Sequence, residues 1–232
     1  MTEPSRLAAR LAHVRDRIEA AGGDPDVVQL VAVTKGLSAD APTAALGVGL
    51  LDLGESYGQE LVAKAGALAG ATPTPRWHMI GRLQRNKVRS LADVVHLWQS
   101  VDRLPLGLEI ARHAPGAAVL VQVNVSGEAQ KGGCPAAETG DLVRALGAAG
   151  LDVRGLMAVG ATGPPEVARP GFRVLRELAD DLDLPVRSMG MSGDLEVAVE
   201  EGSTMVRVGT ALFGVRAARS GMRDYAERAQ ED

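Results

Sequence analysis

Short runs of apolar residues alternate with segments of helical spacing along most of the chain. Each run is almost continuously apolar, which is typical of a strand in a parallel sheet covered on both faces. A strand covered on only one face would instead alternate apolar and polar positions. The pattern predicts strands over residues 28–35, 50–55, 77–81, 94–101, 117–125, 153–159, 185–189 and 204–208.

Helices are predicted where apolar residues recur three or four positions apart. The N-terminal segment shows this spacing, with Leu7, Leu11, Val14 and Ile18 on one face. Pro135 is expected to open another helix, because proline is favoured in a first helical turn. The predicted helices cover residues 4–21, a segment from 38, 59–68, 85–92, 104–113, 135–149, 172–182 and 195–201, followed by a charged tail with helical spacing.

Regular alternation of strands and helices indicates the α/β class, and eight repeats favour a closed (β/α)₈ TIM barrel. The alternative is an open doubly wound sheet, whose dinucleotide-binding form carries Gly-x-Gly-x-x-Gly after a strand. Here the nearest candidate, residues 47–49, precedes a strand. No linker or shift in composition divides the chain. We therefore expect one domain over residues 1–232, with an extra N-terminal helix within residues 1–25.

The composition narrows the class of protein. With 46% hydrophobic residues the chain can build an ordinary core, and its net charge of −4 argues against a nucleic-acid-binding surface. Cys134 is the only cysteine, so a reducing compartment is expected. Neither a signal peptide nor an apolar run of membrane-spanning length is present. The sequence predicts a cytoplasmic protein without a membrane segment, and the absence of a large apolar patch favours a monomer.

Lys35 ends the first predicted strand. Burying an unpaired ammonium is costly, so this lysine either reaches solvent or serves the fold in some way. Burial can lower the pKa of a lysine, which then becomes a nucleophilic amine able to form a Schiff base. The strand alone leaves both interpretations open.

Loops suited to an anion follow the last two predicted strands. In a barrel, reactive groups gather where strands end, and a phosphate site often lies after strands seven and eight. The loop at residues 188–194 is rich in small residues and leads into a helix, while Gly209 and Thr210 follow the eighth strand. Free backbone N–H groups at such positions can bind phosphate, although glycine and serine also simply form tight turns.

Arg207 lies in the eighth predicted strand, on the same face as Met205 and Gly209 because side chains alternate along a strand. If that face lines the barrel, the guanidinium lies near its mouth, and a structural ion pair is the alternative. The same alternation places Lys35 on one face with Val31 and Val33. A lysine amine, a phosphate-binding loop and an arginine suited to a ring nitrogen together describe a pyridoxal 5′-phosphate (PLP) site.

Seven sequence blocks, in order along nearly the whole chain, resemble the pyridoxal phosphate homeostasis protein family, also known as YggS-like. The blocks are residues 30–35 (LVAVTK), 54–60 (GESYGQE), 77–87 (WHMIGRLQRNK), 122–126 (QVNVS), 155–157 (GLM), 188–192 (SMGMS) and 201–210 (EGSTMVRVGT).

The resemblance implies a fold-type III PLP protein, similar to the barrel of alanine racemase but without that enzyme's C-terminal β-domain. It implies that Lys35 carries PLP as a Schiff base and that Arg207 faces the pyridine nitrogen. Ser192, Gly209 and Thr210 would hold the phosphate. The family is regarded as PLP carriers that serve homeostasis, without an established catalytic turnover, and PLP-dependent apo-enzymes are its potential partners.

Two positions depart from the family pattern: Ser56 replaces the usual asparagine, and Gly36 replaces the common threonine after the lysine. An alternative function is that of a PLP-dependent amino-acid racemase. Racemization needs a second base, which is a tyrosine in alanine racemase, and neither Tyr57 nor Tyr225 falls where the resemblance places it. A third interpretation, a barrel enzyme for a phosphorylated metabolite without PLP, leaves Lys35 unexplained.

His78, in the third predicted strand, could point into the mouth as an acid or base. Cys134 precedes a predicted helix, either as a thiol of lowered pKa or as an exposed bystander. Histidine and cysteine spacing matches no metal site. A basic run near the predicted mouth is either a solvated face or a surface for an anionic partner; it comprises Arg82, Arg85, Lys87 and Arg89.

Overall fold

Eight parallel strands close into a barrel in the computed structural model, which describes residues 3–214. Neighbouring strands pair in chain order, and the pairing of β1 with β8 closes the barrel. The prediction of a (β/α)₈ barrel is confirmed, and the open sheet is excluded. The strands are β1 Gln29–Val33, β2 Asp52–Glu55, β3 Arg76–Met79, β4 Val95–Val101, β5 Ala118–Asn124, β6 Asp152–Met157, β7 Val186–Ser188 and β8 Met205–Val208.

Helices cover the outside of the barrel and bury their apolar faces against the strands. In α1, Leu7, Leu11, Val14 and Ile18 are all buried, which confirms the face predicted from their spacing. The helices are α1 Glu3–Ala20, α2 Asp40–Gly47, α3 Gly58–Ala67, α4 Val88–Leu91, α5 Leu104–His113, α6 Thr139–Ala148, α7 Arg169–Asp181, α8 Leu195–Glu200 and α9 Thr210–Phe213. Single 3₁₀ turns lie at Arg85–Lys87, Ala129–Lys131, Ala136–Glu138 and Pro165–Ala168.

Two apolar clusters hold the strands, one outside the barrel and one inside it. The outer cluster lies between strands and helices and includes Ala32, Val206 and Val208. The inner cluster comprises Val31, Leu97, Ala118, Leu120, Met157 and Met205. In β1 and β8, therefore, successive residues point alternately to the two clusters, which is the alternation expected of parallel barrel strands.

Several element boundaries differ from the prediction. The first strand ends at Val33 rather than at residue 35, because the chain turns at Gly36, whose φ of 71° lies in the left-handed region. Helix α6 begins at Thr139 rather than at Pro135. Cys134–Pro135 instead forms a ninth, two-residue strand that extends the sheet beside the end of β5.

That short strand also overturns the expectations for the thiol. Cys134 pairs with Val123 of β5 and is buried, so it is not an exposed bystander. Burial raises the pKa of the Cys134 thiol, which is opposite to the lowering that a helix N-terminus would cause.

None of the helices described here is long and apolar enough to cross a lipid bilayer. The charged tail with helical spacing and Tyr225 lie outside the described residues.

Candidate functional site

A cavity of about 260 Å³ opens at the C-terminal end of β1 and β8, beside the loop that follows β7. This volume is close to the lower limit for small-molecule sites, which begin at roughly 300 Å³. All five predicted site residues line it: Lys35, Ser192, Arg207, Gly209 and Thr210. Its walls are completed by Val33, Leu37, Ile80, Met191, Gly193, Phe213 and Gly214.

Lys35 lies in the turn after β1, and the backbone on both sides of it is anchored. The Thr34 carbonyl accepts a hydrogen bond from Lys64 Nζ at 2.7 Å. On the other side, the Gly36 N–H donates to Glu60 Oε2 at 2.8 Å. The lysine therefore projects into the cavity from a fixed backbone, as a group that must meet a ligand atom requires.

The anchor is a buried ion pair beneath the turn. Lys64 Nζ lies 2.6 Å from Oε1 of the fully buried Glu55, and the Thr34 hydroxyl donates to the same oxygen at 2.6 Å. Burial raises the pKa of Glu55, and the bonds from Lys64 and Thr34 act against that rise. This network was not predicted from the sequence. The spacing of four between Glu60 and Lys64 was the one local signal for it.

Arg207 is buried in β8 and held by neutral acceptors. Its Nη1 donates to the carbonyl and the hydroxyl of Ser188 at 2.8 and 2.7 Å, and its Nη2 donates to the Ala158 carbonyl at 2.7 Å. Burial lowers the pKa of Arg207 to about 10, although the charge of Asp194 acts in the opposite direction, so the guanidinium stays protonated at neutral pH.

The alternative interpretation of Arg207 as one half of an ion pair is wrong. Within residues 3–214 no carboxylate lies at ion-pair distance from it, and its Nε makes no hydrogen bond. A buried cation without a direct counter-charge is costly. The cavity beside it is therefore suited to a ligand that carries negative charge or a hydrogen-bond acceptor.

The loop after β7 is fixed against three other elements. Gly190 has a φ of 93°, and a Cβ there would lie 2.5 Å from the Ala198 side chain, so only glycine fits this turn. Ser192 Oγ accepts a hydrogen bond from the Ala211 N–H at 3.1 Å, and its carbonyl accepts one from Arg17 Nη2 at 3.0 Å. The loop thus faces the cavity in one defined conformation.

Gly209 allows the backbone after β8 to approach β1 closely. A Cβ on this glycine would lie 3.3 Å from the Val33 carbonyl oxygen. With Thr210 it begins α9 at the cavity, which Gly193 also lines. Glycine and serine loops of this kind leave backbone N–H groups accessible to an anion.

His78 and the basic run do not contribute to the cavity wall. The His78 ring is fully buried between Asp52 and Gln99, so the expectation that it reaches the mouth is wrong. Arg82, Arg85 and Arg89 are exposed and do not line the cavity. Ser56 is also absent from the lining.

Comparison with known proteins identifies the family. The sequence model described as "Alanine racemase, N-terminal domain" matches residues 4–217. A protein of Pseudomonas aeruginosa named "Pyridoxal phosphate homeostasis protein" is 42% identical over 223 residues, covering 93% of this chain and 96% of that one. The Escherichia coli protein of the same name is 37% identical over 228 residues, with coverage of 90% and 97%.

Solved structures of similar proteins indicate the same family and fold. PipY of Synechococcus elongatus, solved without PLP, is 32% identical with a TM-score of 0.81, covering 90% of this chain and 100% of that one. A second PipY structure, described as having PLP bound, has a TM-score of 0.79. Alanine racemase of Corynebacterium glutamicum shares the fold with a TM-score of 0.69 at 18% identity, covering 94% of this chain and 63% of that one.

A family model that spans the whole barrel and full-length relatives of about 40% identity agree. The chain belongs to the pyridoxal phosphate homeostasis protein family.

Proposed function

We propose that this chain binds PLP in the cavity at the C-terminal end of the barrel and acts in intracellular PLP homeostasis. The observation that carries the proposal is the meeting of Lys35, Ser192, Arg207, Gly209 and Thr210 around one cavity. Close relatives are named for PLP homeostasis, and a PipY structure is described as having PLP bound.

The groups around the cavity match the groups of PLP. Lys35 supplies an amine for the aldehyde carbon, with which it would form a Schiff base. Ser192, Gly209 and Thr210 supply hydroxyls and backbone N–H groups for the phosphate. The apolar side chains of Val33, Leu37, Ile80, Met191 and Phe213 offer surface for the pyridine ring.

Arg207 would face the ring nitrogen. Because the guanidinium stays protonated, it donates hydrogen bonds and does not accept them. A ring nitrogen that accepts a hydrogen bond from arginine remains unprotonated. When bound, PLP acts as an electron sink, and an unprotonated ring is a weaker one. This assignment therefore favours retention of PLP over turnover.

The cavity wall also favours a carrier over a racemase. Among the described residues that line it, Lys35 is the only side chain of a type that serves as a general base, whereas racemization needs a second one. Tyr57 lies at the start of α3 and is outside the lining. The carrier would work in the cytoplasm as a monomer and would deliver PLP to PLP-dependent apo-enzymes.

Spectroscopic titration tests the proposal. PLP added to the ligand-free chain should produce a saturable yellow absorbance band with a stoichiometry of one. Pyridoxine 5′-phosphate, which has the phosphate but no aldehyde, should compete without producing the band. A chain that takes up neither compound would contradict the proposal. Competition by the analogue without a PLP band would instead favour a site for phosphorylated metabolites that does not use Lys35.

Assays on the PLP-loaded protein then distinguish a carrier from a racemase. The carrier proposal predicts that optical rotation of L-amino acids stays constant in its presence and that an added apo-enzyme gains activity. Sustained racemization would contradict it. Light scattering at several concentrations should give the mass of one chain.

A further inference from the structure

A line of buried hydrogen bonds crosses the barrel interior from Arg207 to Asp52. Arg207 Nη1 donates to Ser188 Oγ at 2.7 Å, and Ser188 Oγ donates to Gln99 Oε1 at 2.7 Å. Gln99 Nε2 lies 2.7 Å from His78 Nδ1, and His78 Nε2 lies 2.9 Å from Asp52 Oδ1. All five residues are buried. The line joins the proposed ring-nitrogen contact to the first residue of β2, at the opposite end of the barrel.

The direction of each hydrogen bond follows from Arg207, which can only donate. Ser188 Oγ accepts from the guanidinium, so its own proton goes to Gln99 Oε1. This bond fixes the amide, and Gln99 Nε2 must then donate to His78 Nδ1. That nitrogen is an acceptor only if the ring proton is on Nε2, which donates to Asp52. Every group in the line thus accepts from the side of Arg207 and donates toward Asp52.

The line supplies the counter-charge that Arg207 lacks in its immediate surroundings. Burial alone would raise the pKa of Asp52, but hydrogen bonds from Arg76 and His78 hold it well below the usual range, so the carboxylate is charged. Polarised hydrogen bonds in a low-dielectric interior strengthen one another. The guanidinium at one end and the carboxylate at the other therefore polarise Ser188, Gln99 and His78 in the same sense.

The stability of the barrel does not require a line of buried polar groups. The interior around it is apolar, with Val31, Leu97 and Leu120 as neighbours in the inner cluster. Replacing buried polar groups with well-packed apolar side chains is often neutral or stabilising. A polar line through this interior is therefore best explained by what it does at its Arg207 end.

We propose that Ser188, Gln99 and His78 are positioning residues, which hold the Arg207 guanidinium in its orientation at the cavity wall. The proposal rests on the proposed function only for the identity of the ligand. The proton positions within the line are a property of the ligand-free protein and can be measured separately.

Nitrogen NMR of the ligand-free chain tests the line itself. Labelled His78 should show a protonated Nε2 and an unprotonated Nδ1 that accepts a hydrogen bond. Gln99→Met removes the donor to Nδ1 at similar volume, and the Nδ1 signal should move toward that of a nitrogen without a donor. A proton on Nδ1 in the unsubstituted chain, or an unchanged signal in Gln99→Met, would overturn the proposal.

PLP titration tests the effect at the cavity. Gln99→Met and Ser188→Ala should each weaken PLP binding by about tenfold, the size expected for one hydrogen bond involving a charged group. Ser203→Ala removes another buried hydroxyl, which bonds only to backbone carbonyls of Arg187, Met189 and Met205. It should stay within twofold of the unsubstituted chain.

The outcomes separate this proposal from the proposed function. If the unsubstituted chain takes up no PLP, the proposed function fails. The NMR result still decides whether the hydrogen bonds of the line have the proposed directions. If the chain binds PLP but Gln99→Met and Ser188→Ala bind as Ser203→Ala does, the positioning role is overturned. Thermal melts identify a variant that has not folded, and the other of the two variants, Gln99→Met or Ser188→Ala, then decides the question.

Discussion

Charged side chains are partnered differently at the two ends of the barrel. At the N-terminal end, charged side chains are paired directly: Asp52 lies 2.6 Å from Arg76, and Asp180 lies 2.9 Å from Arg187. The buried Glu201 carboxylate receives three guanidinium groups within 3.3 Å, from Arg169, Arg173 and Arg176. Each of these charged groups lies within ion-pair distance of an opposite charge.

At the C-terminal end, Arg207 is held by two carbonyls and a hydroxyl, and its charge faces a cavity lined by glycine and serine loops. The carboxylate of Glu55 is used beneath the turn to fix backbone, away from the arginine. The comparison teaches that charges in direct ion pairs stabilise the fold, whereas the charge of Arg207 is kept for binding. Substitutions of the two kinds of group should therefore affect different measurements.

The largest effect is expected from Lys64→Met. The substitution leaves the buried Glu55 carboxylate without its cation and frees the Thr34 carbonyl before Lys35. Breaking a buried pair in this way should lower the free energy of unfolding by about 3 kcal/mol. Urea denaturation measures it. Lys87→Met, at a partly exposed position, should change the value by less than about 0.5 kcal/mol. Equal losses of unfolding free energy in Lys64→Met and Lys87→Met would contradict the stabilising role of the Lys64–Glu55 pair.

Arg207→Met should mainly weaken binding. Losing a charged donor at the ring should raise the Kd for PLP by roughly thirtyfold, corresponding to about 2 kcal/mol. The matched control is Arg187→Met, which removes an arginine of β7 that bonds to Asp180 and to the Gly202 carbonyl. The control should lower the unfolding midpoint and leave the Kd unchanged. A Kd for PLP that rises in Arg187→Met and stays unchanged in Arg207→Met would contradict the distinction between charges that stabilise the fold and the charge kept for binding.

Glu201→Gln should reduce stability by on the order of 1 kcal/mol at neutral pH, because its partners are partly exposed. Hydrogen bonding to Arg173 lowers the pKa of Glu201 below its usual 4.5, so the carboxylate stabilises the fold above that pH. The stabilisation is lost as pH falls below about 4.5, and the two proteins should converge there. Denaturation at several pH values measures the difference, and a constant gap would contradict the assignment.

Ser192→Ala should have the smallest effect. It removes the hydroxyl that bonds to the Ala211 N–H at the rim of the cavity. The loops keep backbone N–H groups for the phosphate, so PLP binding should weaken by only about fivefold, with little change in stability. Ser90→Ala, on the exposed face of α4, should change neither value. An unchanged Kd in Ser192→Ala would mean that the phosphate lies elsewhere.

The barrel and five of the twelve residues that line the cavity were predictable from the sequence. Continuous apolar runs identified the strands, and alternation in β8 correctly grouped Met205, Arg207 and Gly209 on the inner face. These predictions succeed because strand geometry is periodic and the strand ends of a closed barrel converge at one rim.

Features that depend on distant partners were not predictable. Nothing in the sequence near His78 indicates that Gln99 and Asp52 enclose it. Cys134 is buried because a two-residue strand extends the sheet beside β5, and a two-residue strand has no periodicity to detect. Lys64 appears as a surface residue of an amphipathic helix until the fold places Glu55 beneath it.

The central claim is that Lys35 holds PLP in this cavity, and borohydride reduction tests it most directly. Reduction of the PLP-loaded chain should remove the yellow band and fix the cofactor on one peptide, which mass spectrometry should assign to Lys35. The Lys35→Ala variant should show no adduct on any residue of the cavity. A reduced adduct located mainly on another lysine, or equal labelling of the variant, would contradict the account.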